Sequence, residues 1–209
     1  MSFLKKEINS AGALLVNNRS EAVIIGTATL AIVLDNYYYA WNEWASSLIY
    51  FVLLPVLSGL VILRRNPLDF GFRLGSPRIW LPHAVFFCLV AWLVLAAALK
   101  MPELQAYYGK EQFSFLRYFF STSVCLFATE FLFRGFLLFG LKDRFGEGSI
   151  FIQTIPFVMI HLGKPGLETI STIITGIWFG YICYRGNSFW PAFLVHMFIN
   201  IFFVATING

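Results

Sequence analysis

The chain has 209 residues, 58% of them hydrophobic and only 12% charged, and its mean hydropathy is +0.72. A water-soluble fold must cover itself in polar side chains, whereas a chain with 24 phenylalanines is solvated by lipid, so the composition excludes an ordinary soluble domain and points to an all-α, polytopic integral membrane bundle. The net charge of +4 is no nucleic-acid footprint, because the basic residues are scattered between apolar runs and form no patch.

A membrane span needs about 20 mostly apolar residues to cross a hydrocarbon core roughly 30 Å thick. Residues 3–16 begin with Lys5 and Lys6 and offer only Ala11 to Val16 as an apolar stretch, too short for a cleaved signal. They read as a short helix along the membrane surface. Seven spans follow, at about 22–40, 46–63, 79–98, 115–141, 149–163, 166–184 and 188–207. The first ends in Asp35, Asn36 and an aromatic cluster, Tyr37 to Tyr39 with Trp41 and Trp44, as an interfacial belt would.

The charges between spans test that count. Lys5, Lys6, Arg19, Arg64, Arg65, Arg73, Arg78, Lys142, Arg144 and Arg185 fall on one side, and Lys100, Lys110, Arg117 and Lys164 on the other. Cytoplasmic loops collect Lys and Arg, so the expectation is an N-terminus inside and a C-terminus outside, in a bacterial plasma membrane. With no repeat and no linker, the chain reads as one membrane domain: residues 1–114 hold spans one to three, and 115–209 hold the rest. Cys88, Cys125 and Cys183 lie inside apolar runs without CxxC spacing and read as core.

An ionisable side chain at mid-bilayer costs several kcal/mol and persists only where it faces a partner, water or the bundle interior. Span four carries Glu130 and Arg134, span five His161, and span seven His196 and Asn200. Glu130 and Arg134 are four apart, share a helix face and are spaced to pair. His196 and Asn200 have the same spacing. At 1.5 Å per residue, Glu130 and His161 both lie roughly 18 Å from the cytoplasmic boundary, and His196 about 14 Å. Three helices thus bring polar groups to one level. His161 runs straight into Leu162-Gly163-Lys164-Pro165-Gly166, and non-helical backbone at that depth requires a cavity or a strongly tilted span.

A carboxylate and an imidazole converging on water make it a nucleophile, while a second imidazole and an amide donate to the oxyanion that develops. That is amide hydrolysis without a covalent intermediate and requires no cofactor. The same Glu130, His161 and His196 would alternatively hold a divalent metal such as zinc, though HExxH and cysteine partners are absent. A structural ion pair at Glu130 and Arg134, and a proton relay or small transporter, are the competing readings. On span six, Glu168, Thr172, Gly176 and Gly180 recur every four residues; the GxxxG reads as close helix packing, with Glu168 a supporting residue at the mouth of the site.

Three stretches carry a family resemblance: Thr129-Glu130-Phe131-Leu132-Phe133-Arg134, Phe157-Val158-Met159-Ile160-His161, and His196-Met197-Phe198-Ile199-Asn200. In this order, on successive membrane helices, they resemble the Glu-Glu-x-x-x-Arg, Phe-x-x-x-His and His-x-x-x-Asn/Asp motifs of the CPBP family, which groups CAAX-processing membrane proteases with bacteriocin-immunity proteins. The resemblance implies an intramembrane endopeptidase acting on a membrane-associated peptide or protein. It assigns His161 to water activation and His196 with Asn200 to the oxyanion. It also places Thr129 where the family has its first glutamate, with Glu130 matching the second and Arg134 the arginine. Either Glu130 takes over as base, or the chain is a non-catalytic scaffold or immunity protein.

Overall fold

The computed structural model describes residues 3–209. The apolar runs all fold as helices, in the order α1 (Phe3–Asn17), α2 (Arg19–Tyr37), α3 (Glu43–Leu63), α4 (Pro77–Ala98), α5 (Pro102–Tyr108), α6 (Phe115–Phe145), α7 (Gly148–Met159), α8 (Gly166–Gly186) and α9 (Trp190–Asn208). Five of them, α3, α4, α6, α8 and α9, are long and apolar enough to cross a membrane. The molecule is an all-α polytopic bundle.

Two of the seven expected spans differ from the five. Helix α2 has the length, but Arg19, Glu21 and Asp35 interrupt its apolar surface. Helix α7 is only 12 residues long and stops at Met159, short of the span expected to 163. Its Pro156 lies inside the last turn, and successive tight turns, His161 N–H to Val158 O and Leu162 N–H to Met159 O, carry the chain out of the helix. Gly163, at φ +94°, completes a reversal that a side chain would strain. Helix α1 forms where the surface helix was expected, and none of its residues is buried.

Helix α6 is the axis of the bundle: 72% of its apolar window is buried, against 11–33% for the other four crossing helices. One core forms where Phe131, Leu132, Phe133 and Phe136 of α6 meet Ile24, Ala28 and Ala31 of α2, Phe51 of α3 and Phe157 of α7. A second forms further along α6, where Leu138 and Phe139 meet Trp80 of α4, Phe179 and Ile182 of α8 and Val195 of α9. Between Phe131 and Leu137 the helix widens to π-helical geometry, a form that recurs at functional sites because it re-aims side chains within an otherwise regular helix.

Close approach of α7 and α8 is made possible by the GxxxG. A Cβ on Gly176 would lie 2.8 Å from Thr154 Cγ2, and one on Gly180 would lie 2.7 Å from Gln153 Nε2. Gln153 uses the proximity to donate to Gly176 O at 3.0 Å. At the end of the bundle that carries most of the basic residues, the loop after α3 is held under the α8–α9 turn by Phe189 N–H to Gly71 O (3.1 Å) and Trp190 Nε1 to Phe72 O (2.8 Å). Arg65–Asp143 and Arg144–Glu21 ion pairs close the same end. At the other end α5 lies across the bundle. Its Leu104 is buried with Ala98 of α4 and Phe203 of α9, and Asn208 donates to Tyr108 O at 3.0 Å.

Candidate active site

A cavity of about 160 Å³ opens at the α5 end, between the last turns of α4, the first half of α8 and the middle of α9. Its walls are largely apolar, including Val94 and Leu95 of α4, Leu167 of α8 and Phe203 of α9. Its polar lining combines His161, Glu168, His196 and Asn200 with the hydroxyls of Ser171, Thr172 and Thr175, and Tyr108 from α5 lies above them. A few convergent polar groups in an apolar cleft are the usual composition of a small-molecule or peptide site.

His161 is carried by the turn after α7. Its Nδ1 lies 2.7 Å from Phe157 O, and because a carbonyl only accepts, Nδ1 is the donor and Nε2 is the free nitrogen of the neutral ring. Thr169 Oγ1 donates to His161 O at 2.8 Å and ties this turn to the start of α8. His196 comes from α9, one residue beyond Val195 of the second core. Its Nδ1 lies 2.6 Å from Glu130 Oε1, so this ring too is held at Nδ1 and leaves Nε2 free. Asn200, one turn on, donates from Nδ2 to His196 O at 3.2 Å and keeps its carbonyl oxygen and second N–H for the cavity.

Behind His196 stands a buried charge pair. Glu130 and Arg134 are both 0% exposed, and Arg134 Nη1 lies 3.2 Å from each carboxylate oxygen. The guanidinium lies 3.8 Å from the centre of the Phe157 ring and 5.3 Å from that of Phe179. Aromatic faces therefore take the place of the hydrogen bonds that its Nε and Nη2 do not make. The Phe157 ring is also 4.7 Å from the His161 ring and 6.2 Å from that of His196, so one phenylalanine touches all three cationic or ionisable groups.

The expected residues are thus gathered around one point, with a change of partner. Glu130 faces His196 and Arg134 rather than His161, and it does not line the cavity. Thr129 does not line it either. Glu168 does, with its Oε2 accepting from Tyr108 (2.6 Å) and its Oε1 from Lys164 (2.8 Å). Tyr108 was not among the expected residues; it belongs to a connector between spans, and no pattern on α5 marks it. Burial, followed by the bond to Glu168, raises the pKa of this phenol, so it stays a proton donor at neutral pH. Among the described residues no three His, Cys, Asp or Glu side chains are placed to share one ion.

Residues 111–202 match the family described as Type II CAAX prenyl endopeptidase Rce1-like. The matched stretch contains Glu130, Arg134, His161, Glu168, His196 and Asn200, and the likeness to the CPBP family carried by the three motifs holds across it. The match supports a membrane protein of the CAAX-type intramembrane protease kind. No curated protein and no solved structure matches the chain.

Proposed function

We propose that this protein is an intramembrane endopeptidase that hydrolyses an amide bond of a membrane-associated peptide or protein with water, without a covalent intermediate. The observation that carries the reading is that two imidazoles, one from the turn after α7 and one from α9, line one cavity, each anchored through Nδ1 and each keeping Nε2 free. The two differ in what anchors them. A neutral carbonyl holds His161, which suits a base; a buried carboxylate holds His196, which suits a ring that carries two protons and donates from both nitrogens.

In the proposed step, His161 Nε2 takes one proton from a water as its oxygen bonds to the scissile carbonyl carbon. The carbonyl π electrons move to oxygen, where His196 Nε2–H and an Asn200 N–H donate to the oxyanion. Collapse breaks the C–N bond, and His161 returns its proton to the leaving nitrogen, giving a carboxylic acid and an amine. Glu130 acts through His196, as the acceptor that orients the ring and balances its charge, with Arg134 holding the carboxylate in place. The carboxylate base expected at Glu130 is thereby replaced by the His161 imidazole.

The apolar walls suit a substrate presented from lipid, and the basic loops at the far end support a site opening towards the non-cytoplasmic face. The test is turnover of an internally quenched peptide bearing a prenylated CAAX end by the purified protein in nanodiscs. Hydrolysis in water enriched in oxygen-18 should place one label in the new carboxyl group, and it should be lost in His161→Ala and His196→Ala. A second reading, a non-catalytic scaffold or immunity protein, is favoured by Thr129 at the position of the family's first glutamate. Tight peptide binding without cleavage would select it.

A further inference from the structure

Hydrolysis by an imidazole base alone is improved by a second acceptor, because a water that gives one proton to a base is free to rotate unless its other proton is held. The two acids near the site are not equivalent in this respect. Glu130 is enclosed, with one oxygen committed to His196 and both beside Arg134. Among the described residues, Glu168 is the only acid that lines the cavity occupied by His161, His196 and Asn200.

We propose that Glu168 is the carboxylate of the hydrolytic site, accepting the second proton of the attacking water in a hydrogen bond while His161 removes the first; this rests on the peptidase reading above. Three features of the geometry carry it. Glu168 sits in the first turn of α8, and Thr169 Oγ1 to His161 O (2.8 Å) binds that turn directly to the one bearing the imidazole, so base and carboxylate move as one unit. Lys164 Nζ (2.8 Å) and Tyr108 Oη (2.6 Å) each donate to a different oxygen of Glu168, fixing the plane of the carboxylate. Each carboxylate oxygen has two acceptor sites, so both retain one for water. The assignment also accounts for Thr129, since a site with its carboxylate on α8 needs none on α6.

The rival role for Glu168 is a latch: through Tyr108 it ties α5 over the cavity. The two roles part on measurement. The full chain in nanodiscs would be prepared as wild type, Glu168→Gln, Tyr108→Phe and Lys164→Met, with nitrogen-15 histidine; His83 of α4, the one histidine that does not line the cavity, serves as an internal reference for the rings of His161 and His196. If Glu168 holds the water, Glu168→Gln lowers kcat by about 100-fold or more with KM and thermal midpoint little changed, and Tyr108→Phe costs less than about tenfold. The His161 titration moves to lower pH in Glu168→Gln. A latch predicts equal losses in Glu168→Gln and Tyr108→Phe, with a raised KM, and that result overturns the proposal. An unmoved His161 titration overturns it whatever the activity. A folded wild type without turnover overturns the peptidase reading, and this assignment with it.

Discussion

Glu130 Oε1 accepts from His196 Nδ1 at 2.6 Å, and the same carboxylate is the counterion of Arg134, so the acid of the first motif is bound to the last motif and shut away from the cavity. An acid so placed sets the orientation and charge of the ring in front of it.

That arrangement makes Glu130 costly to remove. Glu130→Ala leaves the Arg134 guanidinium buried and unpaired and should destabilise the bundle by about 3–5 kcal/mol, with loss of activity. Removing both charges together, as Glu130→Gln with Arg134→Met, should restore most of the stability and none of the activity, because His196 still lacks its carboxylate. Thermal unfolding in nanodiscs checks the first, and the turnover assay the second. A double variant as unstable as Glu130→Ala would show that the pair is not the source of the cost.

Asn200 should separate binding from chemistry. Its amide is proposed to meet charge that exists only after water has attacked. Asn200→Ala should therefore lower kcat by about 10²–10³ while leaving KM and the thermal midpoint close to those of the wild type. Asn200→Asp removes the donor and adds a negative charge beside the oxyanion, and should fall at least as far. A change confined to KM would assign Asn200 to substrate binding instead.

The pairing of Glu130 with Arg134 and the grouping of His161, His196 and Asn200 were legible in the sequence because helical spacing and depth are arithmetic: four residues share a face, and 1.5 Å per residue sets a level. The direction in which Glu130 points was not, because it lies at the junction of α-helix and π-helix in α6, where regular geometry no longer predicts a side chain's bearing. Helix α7 is shorter than the span expected to residue 163 for a related reason. Ile160 and Leu162 continue its apolar pattern past Met159, where the helix has already given way to turns. The role of Tyr108 depends on where a short connector folds back, a contact across 60 positions that no local pattern encodes.

The GxxxG on α8 makes a prediction about packing that reaches the site. A Cβ at Gly176 would lie 2.8 Å from Thr154 Cγ2 and 3.2 Å from Phe157 Cδ1, both on α7. Gly176→Val forces α7 and α8 apart, should cost about 1–3 kcal/mol in thermal unfolding, and displaces the ring that underlies His161. Gly166→Ala, at the start of the same helix in open space, should be silent by both measures.

Phe157 is the residue on which the two halves of the site rest. Its carbonyl holds His161 Nδ1, its ring lies under the same imidazole at 4.7 Å, and the opposite demands of the Arg134 guanidinium are met by the same ring at 3.8 Å. Phe157→Ala keeps the carbonyl and removes only the ring. It should cost about 3–5 kcal/mol as a buried aromatic truncation, and about 1–2 kcal/mol of that loss should vanish when Arg134 is already Met, because no guanidinium is then left without its ring. Phe157→Leu fills most of the volume without a π face, so it should recover packing but not the cation's environment. If Phe157→Leu proved as stable as the wild type, the aromatic cage around Arg134 would contribute nothing, and the buried charge would have to be held by Glu130 alone.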